Sequence, residues 1–242
     1  MRQSRVYTPH RLSSSGTVEL DGPVSHYLSR VLRLSAGDHI SLFNGNGINY
    51  LAEINEIRRQ SVLVRLSGSE RADNESPLKI NLVQALSRGE RMDYSLQKAT
   101  ELGVFRIQPV ISSRVEVRLD EKRAAKRLAH WRGVVVSACE QSGRATVPEV
   151  NAPVVLDDWI AADDETPKLL LDPLTATRMS SFSIPGNVVS LLVGPEGGFT
   201  GEEMDKLKSA GAAPVSIGPR VLRTETAGPA AIAVLQSIAG DI

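Results

Sequence analysis

The chain has 242 residues, of which 41% are hydrophobic, enough to fill the core of one large or two modest domains. Its longest apolar runs, such as Val188–Val193, are far shorter than the roughly 20 residues that a membrane-spanning helix needs, which argues against a membrane role. The formal net charge is zero, so the chain is not a uniformly basic nucleic-acid binder.

Cysteine, histidine and the N-terminal residues narrow the class of protein further. The single cysteine, Cys139, excludes an internal disulfide and a cysteine-based metal site, and we expect it to be a buried residue of a helix. The four histidines are isolated and lack ligand spacing, so no metal site is predicted. The residues from Met1 to Tyr7 do not resemble a secretory signal, so we expect a cytoplasmic protein.

The basic residues are unevenly distributed. Residues 1–72 contain nine arginines, no lysine and six acidic residues, whereas the remainder has a small acidic excess. The planar arginine fork binds phosphate in a bidentate manner and stacks on bases, so this region suits RNA. A compositional bias towards arginine explains the charge equally well.

The first part of the chain has the pattern of a small β domain. Short apolar segments are separated by turn residues, and alternation predicts strands at Asp38–Phe43 and Ser61–Leu66. A short helix is predicted at Ser25–Leu34. The polar stretch Ser67–Ser76, followed by Pro77, is predicted to be a linker, which places the domain boundary between residues 72 and 73.

After Pro77 the pattern becomes that of an α/β domain with a mainly parallel sheet. Thr200 and Glu203 have the spacing of a capping box at a helix start. Thr226 is predicted as the N-cap of the last helix, so that Pro229 falls at N3, where no intrahelical donor is lost. The predicted strands are Lys79–Ala85, Ile107–Ile111, Leu169–Leu171, Val188–Val193 and Val215–Gly218. The predicted helices are Met92–Leu102, Asp120–Cys139, Thr200–Gly211 and Thr226–Ala239.

Three segments each combine a predicted strand with a Gly- or Pro-containing loop, the place where α/β sheets bind ligands: Leu169–Pro173, Val193–Phe199 and Ile217–Arg223. Gly194–Gly198 lacks both the dinucleotide-binding spacing and the lysine of a phosphate-binding loop. Its glycines suit close contact with a flat ligand, or simply a tight turn. In the last segment Arg220 and Arg223 either face a ligand or RNA or pair with Glu225 and Glu196.

Six stretches together identify a resemblance that covers nearly the whole chain. They are Val31–Arg33, Ser87–Asp93, Gln97–Val104, Ala138–Arg144, Gly194–Gly198 and Gly218–Thr226. With these stretches the chain resembles the 16S rRNA (uracil-N3)-methyltransferase family of the RsmE type, in the SPOUT superfamily. The chain departs from the family pattern at Gly228-Pro229, which puts the start of the last helix in question.

The resemblance implies a PUA-like β-barrel RNA-binding domain over residues 1–72 and a SPOUT α/β methyltransferase domain with a C-terminal trefoil knot over residues 73–242. It also implies a homodimer, the cofactor S-adenosylmethionine, and methylation of N3 of a uridine in 16S rRNA of the small ribosomal subunit. The implied cofactor-binding residues are Leu171, Gly194, Pro195, Glu196, Gly197, Gly198, Ile217, Gly218, Leu222, Arg223, Thr224, Thr226 and Ala227.

Arg223 is the predicted catalytic residue, because a guanidinium beside O2 or O4 stabilises the uridine anion that forms as N3 loses its proton. The predicted RNA-binding residues are Arg2, Arg5, Arg11, Arg30, Arg33, Arg114 and Arg144. The general base is left open between Glu196 and Glu225. Two other functions stay open: a SPOUT enzyme that methylates another RNA target such as a ribose 2′-oxygen, and a catalytically silent ribosome-assembly factor.

Overall fold

The computed structural model of the protein describes residues 4–115, 120–162 and 165–242. Its contacts divide the chain into two compact units. The first unit consists of Met1–Glu75 and Cys139–Val147, and the second of Ser76–Ala138 and Pro148–Ile242. The predicted boundary between residues 72 and 73 stays a prediction, because this division follows contacts and not independent folding.

The first unit is built on a five-stranded sheet with the order β1-β3-β4-β5-β2. Only β1 and β3 are parallel, and the other pairs are antiparallel. Alternation along β5 buries Val62, Val64 and Leu66 and leaves Arg65 exposed, which is the period expected of a half-buried strand. The strands are β1 (Ser4–Tyr7), β2 (Gly16–Asp21), β3 (His39–Phe43), β4 (Ile48–Ile57) and β5 (Ser61–Arg71).

Two predictions for the first unit need correction. Ser67–Arg71 is not a linker but the end of β5, where Gly68 pairs with Leu51 and Arg71 with Ile48. Cross-strand hydrogen bonds override the turn-like composition there. The predicted helix at Ser25–Leu34 begins earlier, as α1 (Gly22–His26) with Pro23 in its first turn, and continues as a π-helical turn over Tyr27–Val31.

The segment Cys139–Val147 belongs to the first unit through long-range hydrogen bonds. The Arg5 guanidinium donates to the main-chain oxygens of Cys139 at 2.8 Å and Arg144 at 3.1 Å, and lies 4.8 Å from the ring centroid of Phe43. Cys139 is buried in a helix, as predicted, and burial raises the pKa of its thiol to about 12. The thiol therefore stays protonated at neutral pH.

The second unit contains a parallel sheet with the order β12-β10-β11-β6-β7-β8, and β9 also pairs with β7. The strands are β6 (Lys79–Ala85), β7 (Arg106–Ile111), β8 (Glu149–Val150), β9 (Val154–Val155), β10 (Lys168–Leu171), β11 (Val188–Val193) and β12 (Ala212–Val215). The helices are α2 (Glu90–Glu101), α3 (Glu121–Ser142), α4 (Leu156–Ala161), α5 (Gly201–Ser209) and α6 (Thr224–Ala239), and short 3₁₀ turns lie at Met179–Ser181 and Pro185–Asn187.

The last strand and the last helix of the second unit differ from their predicted bounds. The predicted strand at Val215–Gly218 is displaced, because β12 pairs along β10 and ends at Val215, and its Pro214 is tolerated at the sheet edge. Helix α6 starts before the predicted N-cap Thr226, since the main-chain oxygen of Arg223 already accepts the N–H of Ala227 at 2.8 Å. Pro229 therefore lies inside the helix, where it supplies no N–H to the Glu225 carbonyl.

Helix α6 is held to its surroundings in the second unit by a fully buried amide. The Gln236 side chain accepts the Ser76 hydroxyl at 2.6 Å and donates to the Leu102 carbonyl at 2.8 Å. Helices α2 and α6 pack against each other around this point. One buried side chain thus satisfies polar groups at two distant places in the sequence.

We expect Gln236→Leu to lower the free energy of unfolding by about 1–3 kcal/mol, because the Ser76 hydroxyl and the Leu102 carbonyl lose their partner. Ser237→Ala, at the exposed neighbouring position of the same helix, is the matched control. Urea denaturation followed by circular dichroism measures both variants. Equal stability of the two would contradict a structural role for the Gln236 amide.

Candidate functional site

The carboxyl ends of β10, β11 and β12 border a cavity of about 640 Å³, here called the β10–β12 cavity. Parallel strands end at the same edge of their sheet, so the three loops that follow them lie side by side. The lining includes Arg91 from α2, Leu171–Leu174, Val193–Glu196, Gly198, Phe199, Gly201, Met204, Asp205, Lys208, Val215–Gly218, Arg220–Glu225 and Ala227.

The structure brings most of the predicted cofactor residues together in this cavity. Those that line it are Leu171, Gly194, Pro195, Glu196, Gly198, Ile217, Gly218, Leu222, Arg223, Thr224 and Ala227. Gly197 and Thr226 do not line it. Val193, Phe199 and Met204 add apolar walls. Val193 and Phe199 bound the segment that the sequence singled out, whereas Met204, on the helix after it, was not predicted.

The loop after β11 is a tight turn whose glycines have separate tasks. The N–H of Gly198 donates to the Pro195 carbonyl at 2.9 Å, and Gly198 has a φ of +66°, in the left-handed region that favours glycine. At Gly197 an added Cβ would lie 3.3 Å from Cδ of Arg114. Gly198 therefore permits the turn, and Gly197 permits the close approach of an arginine.

A buried hydrogen-bond chain joins this loop to the start of α6. The Thr224 hydroxyl donates to the Gly194 carbonyl at 2.7 Å and accepts the Gln84 side-chain amide at 3.1 Å. Gln84 is fully buried on β6, and the sequence analysis did not single it out. The signal available in the sequence was a glutamine directly between the apolar residues Val83 and Ala85 of a predicted strand. These hydrogen bonds fix the loop after β11 relative to Thr224.

Glu196 is paired by the segment that follows β6. One oxygen of its carboxylate accepts the Arg88 N–H at 3.1 Å and the Arg91 guanidinium at 2.9 Å. Burial raises the pKa of this carboxyl, but hydrogen bonds from its own N–H, from the Arg88 N–H and from Arg91 outweigh burial and lower the pKa. Glu196 therefore stays charged at neutral pH.

The open alternative that Arg220 and Arg223 pair with these carboxylates is wrong for the described residues, because Arg91 is the ion-pair partner found for both. Its Nε lies 3.9 Å from Glu225, and its Nη1 lies 2.9 Å from Glu196. Arg220 and Arg223 are both exposed on the cavity wall. Arg223 is also the N-cap of α6, which fixes its main chain at the helix start.

The predicted capping box of α5 is present and extends to another strand end. The Thr200 hydroxyl accepts the Glu203 N–H at 3.2 Å, and the Glu203 carboxylate accepts the Thr200 N–H at 2.8 Å. The other carboxylate oxygen accepts the Ser113 N–H at 2.6 Å. Burial raises the pKa of Glu203, but these hydrogen bonds outweigh it and lower the pKa. The charged carboxylate thus ties the loop after β7 to the start of α5.

A second cavity of about 460 Å³, here called the β6–β7 cavity, adjoins the carboxyl ends of β6, β7 and β11. It shares Arg91 and Glu196 with the β10–β12 cavity. Its lining residues are Leu86, Arg88, Arg91, Ser113, Arg114, Val115, Glu196 and Gly197. The two cavities are therefore neighbours along one edge of the sheet.

The predicted RNA-binding arginines fall into different surroundings. Arg11, Arg30 and Arg33 are exposed in the first unit, and Arg33 has a φ of +54°. Arg114 lines the β6–β7 cavity. Arg2 lies outside the described residues.

Arg5 and Arg144 have contacts that do not suit an RNA surface. Arg144 is 3% exposed, and its guanidinium donates to the Glu75 carboxylate at 2.6 and 2.9 Å. The Arg5 guanidinium is occupied by main-chain oxygens and by Asn49. Both side chains stabilise the first unit, which argues against their predicted RNA contacts.

The described residues contain neither a metal-binding cluster nor a helix that could cross a membrane. Within them no cluster of three or more His, Cys, Asp or Glu side chains has a geometry that could hold a metal ion. None of the helices formed by these residues combines the length and apolar character needed to span a bilayer.

Comparison with known proteins gives consistent matches over both units. The family described as RNA methyltransferase domain matches residues 74–236, and the family described as RNA methyltransferase PUA domain matches residues 20–67. The chain is 34% identical to the ribosomal RNA small subunit methyltransferase E of Buchnera aphidicola (subsp. Schizaphis graminum), covering 100% of this chain and 98% of the relative.

Two solved structures are similar over their whole length. A methyltransferase of Legionella pneumophila in complex with the cofactor S-adenosylmethionine has a TM-score of 0.96 at 39% identity, and the match covers 100% of both chains. A ribosomal RNA small subunit methyltransferase E of Neisseria gonorrhoeae bound to S-adenosylmethionine has a TM-score of 0.95 at 42% identity, with 99% of both chains covered.

We expect Thr200→Ala to lower the free energy of unfolding by about 1 kcal/mol, because the Glu203 N–H loses its capping acceptor. Thr177→Ala serves as the control, because Thr177 is exposed on the loop after β10 and its hydroxyl makes no hydrogen bond to another described residue. Thermal unfolding by calorimetry compares the two. A midpoint for Thr200→Ala no lower than that of the control would show that the cap does not contribute.

Proposed function

The chain belongs to the ribosomal RNA small subunit methyltransferase E family, as its sequence motifs predicted, and we propose that it methylates N3 of a uridine in 16S rRNA with S-adenosylmethionine as donor. The observation that carries the proposal is the cavity that collects the loops after β10, β11 and β12, because the loops after β11 and β12 contain the family stretches Gly194–Gly198 and Gly218–Thr226. N3 as the target atom rests on the sequence resemblance.

The residues of the β10–β12 cavity fit S-adenosylmethionine chemically. Its volume of about 640 Å³ lies within the range of about 300–1,000 Å³ for small-molecule sites. Leu171, Val193, Ile217 and Leu222 offer apolar surface for a purine and an aliphatic chain, while Asp172 and Asp205 offer acceptors for hydroxyl and amino groups. When bound, the cofactor supplies an electrophilic methyl group on a sulfonium sulfur.

In this proposal Arg223 is the catalytic residue. Uridine N3 loses its proton to a base or to water and so becomes the nucleophile that would accept the methyl group, while the donor's sulfur would keep the electron pair of the broken carbon–sulfur bond. The negative charge that develops on O2 and O4 is stabilised by a guanidinium already in place. Arg223 meets this requirement because its main chain caps α6, while its side chain lines the cavity.

RNA binding is assigned to arginines of both units, with Arg114 as the residue of the second unit. Arg11, Arg30 and Arg33 are exposed and have the charge that phosphate contacts need, and such contacts hold the RNA without selecting a base. The strained main chain of Arg33 adds support, since such conformations cluster at functional positions. The substrate is a small-subunit rRNA, so we place the reaction in the cytoplasm.

We also propose that the active form is a homodimer. Leu174 and Val221 line the rim of the β10–β12 cavity and are 90% and 77% exposed. Apolar residues so exposed at a site are suited to burial by a second copy of the chain.

We also propose the C-terminal knot. The main-chain N–H of Ser216 donates to the Thr177 carbonyl at 2.8 Å, and the Ser216 carbonyl accepts the Met179 N–H at 2.9 Å. The loop between β10 and β11 therefore lies against the chain that follows β12.

The test incubates purified protein with labelled S-adenosylmethionine and small subunits that lack the modification, and then identifies the product nucleoside by mass spectrometry. We expect N3-methyluridine. A ribose-methylated or differently methylated nucleoside would replace the proposed target. Cofactor binding with no transfer to any subunit or precursor RNA would favour the assembly-factor function.

We expect Arg223→Ala to reduce kcat by about 10²- to 10³-fold, the usual effect of losing one donor that stabilises a developing anion. The dissociation constant for S-adenosylmethionine, measured by calorimetry, should change by less than threefold, since its contacts come mostly from the loops. Arg220→Ala, which removes the same charge from the same cavity, is the control. Equal losses of kcat and cofactor affinity would contradict the catalytic role.

A further inference from the structure

The β6–β7 cavity carries a charge pattern that the proposed methyl-donor site does not use. Its described lining residues include three arginines, Arg88, Arg91 and Arg114, and one carboxylate, Glu196. Arg91 already pairs with Glu196 and Glu225, so the attraction of this cavity for an anion is argued from the guanidinium of Arg114. The segment Ser87–Asp93, one of the stretches that carry the family resemblance, follows the end of β6 at this cavity.

Arg91 and Glu196 separate this cavity from the β10–β12 cavity. Their ion pair of 2.9 Å joins the segment after β6 to the loop after β11, and both residues line both cavities. Since β11 lies between β10 and β6 in the sheet, a group held in one cavity is adjacent to a group held in the other. This arrangement suits a donor and an acceptor of one transferred group.

A hydrogen bond and side-chain packing hold Arg114 on the wall of the β6–β7 cavity. Its Nη1 donates to the Gly197 carbonyl, and the absent side chain of Gly197 lets Arg114 Cδ pack on the loop. The preceding residue, Ser113, is fixed by the buried Glu203. In the described part of the chain no carboxylate lies within ion-pair distance of Arg114, so its exposed guanidinium has no ion-pair partner there.

We propose that the β6–β7 cavity binds the sugar-phosphate of the nucleotide to be methylated, with Arg114 as the phosphate-binding residue. The inference rests on the proposed function, for which it supplies the substrate subsite. A base can react only after leaving its stack, and a fixed phosphate contact beside the donor cavity holds such a nucleotide in place. The volume of about 460 Å³ suits one nucleotide unit.

The first test compares Arg114→Gln with Arg106→Gln, using small ribosomal subunits that lack the modification as substrate. Both changes remove one exposed guanidinium from β7 or the loop after it, but Arg106 lies at the opposite end of the strand and pairs with Glu149. We expect Arg114→Gln to lower kcat/KM about 10-fold and to reduce the slope of log kcat/KM against log salt by about one. Arg106→Gln should match the wild type.

The second test uses uridine 5′-monophosphate and uridine as probes, titrated into the protein with S-adenosylhomocysteine present and followed by NMR at the Gly197 and Ser113 amides. Arg114→Gln should weaken binding of the monophosphate about 10-fold and leave uridine binding unchanged. Equal kinetics for the two arginine variants, or equal monophosphate affinity in wild type and Arg114→Gln, would overturn the inference. Failure of the wild type to methylate RNA would instead overturn the proposed function, and the monophosphate titration would still test the cavity.

Discussion

The shared direction of the strands in the second unit is the constraint on which both cavities depend. Because β6, β7, β10, β11 and β12 are parallel, their carboxyl ends meet at one edge, and the loops that border the two cavities leave the sheet there. The order of strands then decides which loops are neighbours. β11 is central, so its loop borders both cavities and carries Glu196, the residue that they share.

Two carboxylates convert this alignment into a defined geometry. Glu203 accepts main-chain N–H groups from Thr200 and Ser113, and Glu196 accepts the Arg88 N–H and the Arg91 guanidinium. Hydrogen bonds lower the pKa of both, so each stays charged at neutral pH. Charge-assisted bonds of this kind are stronger than neutral ones, and here they link segments that follow different strands. The loops are thereby fixed relative to one another before a ligand arrives.

The sequence predicted what depends on local pattern. β6 and β11 were predicted with their observed bounds because segments of strand length in which apolar residues predominate have few other interpretations, and the Thr200 cap was predicted from its spacing. The start of α6 and the bounds of β12 were wrong, because Arg223 makes no side-chain cap and β12 depends on edge pairing with β10. Contacts such as those from Gln84 to Thr224 and from Ser113 to Glu203 join residues 140 and 90 positions apart, which one sequence cannot reveal.

The division of the chain has a consequence for its biosynthesis. The first unit uses the segment Cys139–Val147, which supplies acceptors for Arg5 and the carboxylate that accepts the Tyr7 N–H. A ribosome makes β1–β5 early, but it delivers this segment only after β6, α2, β7 and most of α3. The Arg5 guanidinium and the Tyr7 N–H of the nascent first unit therefore lack these acceptors until part of the second unit has been synthesised. The first unit can be completed once Val147 has been made, before β10, β11, β12 and α6 of the second unit are synthesised.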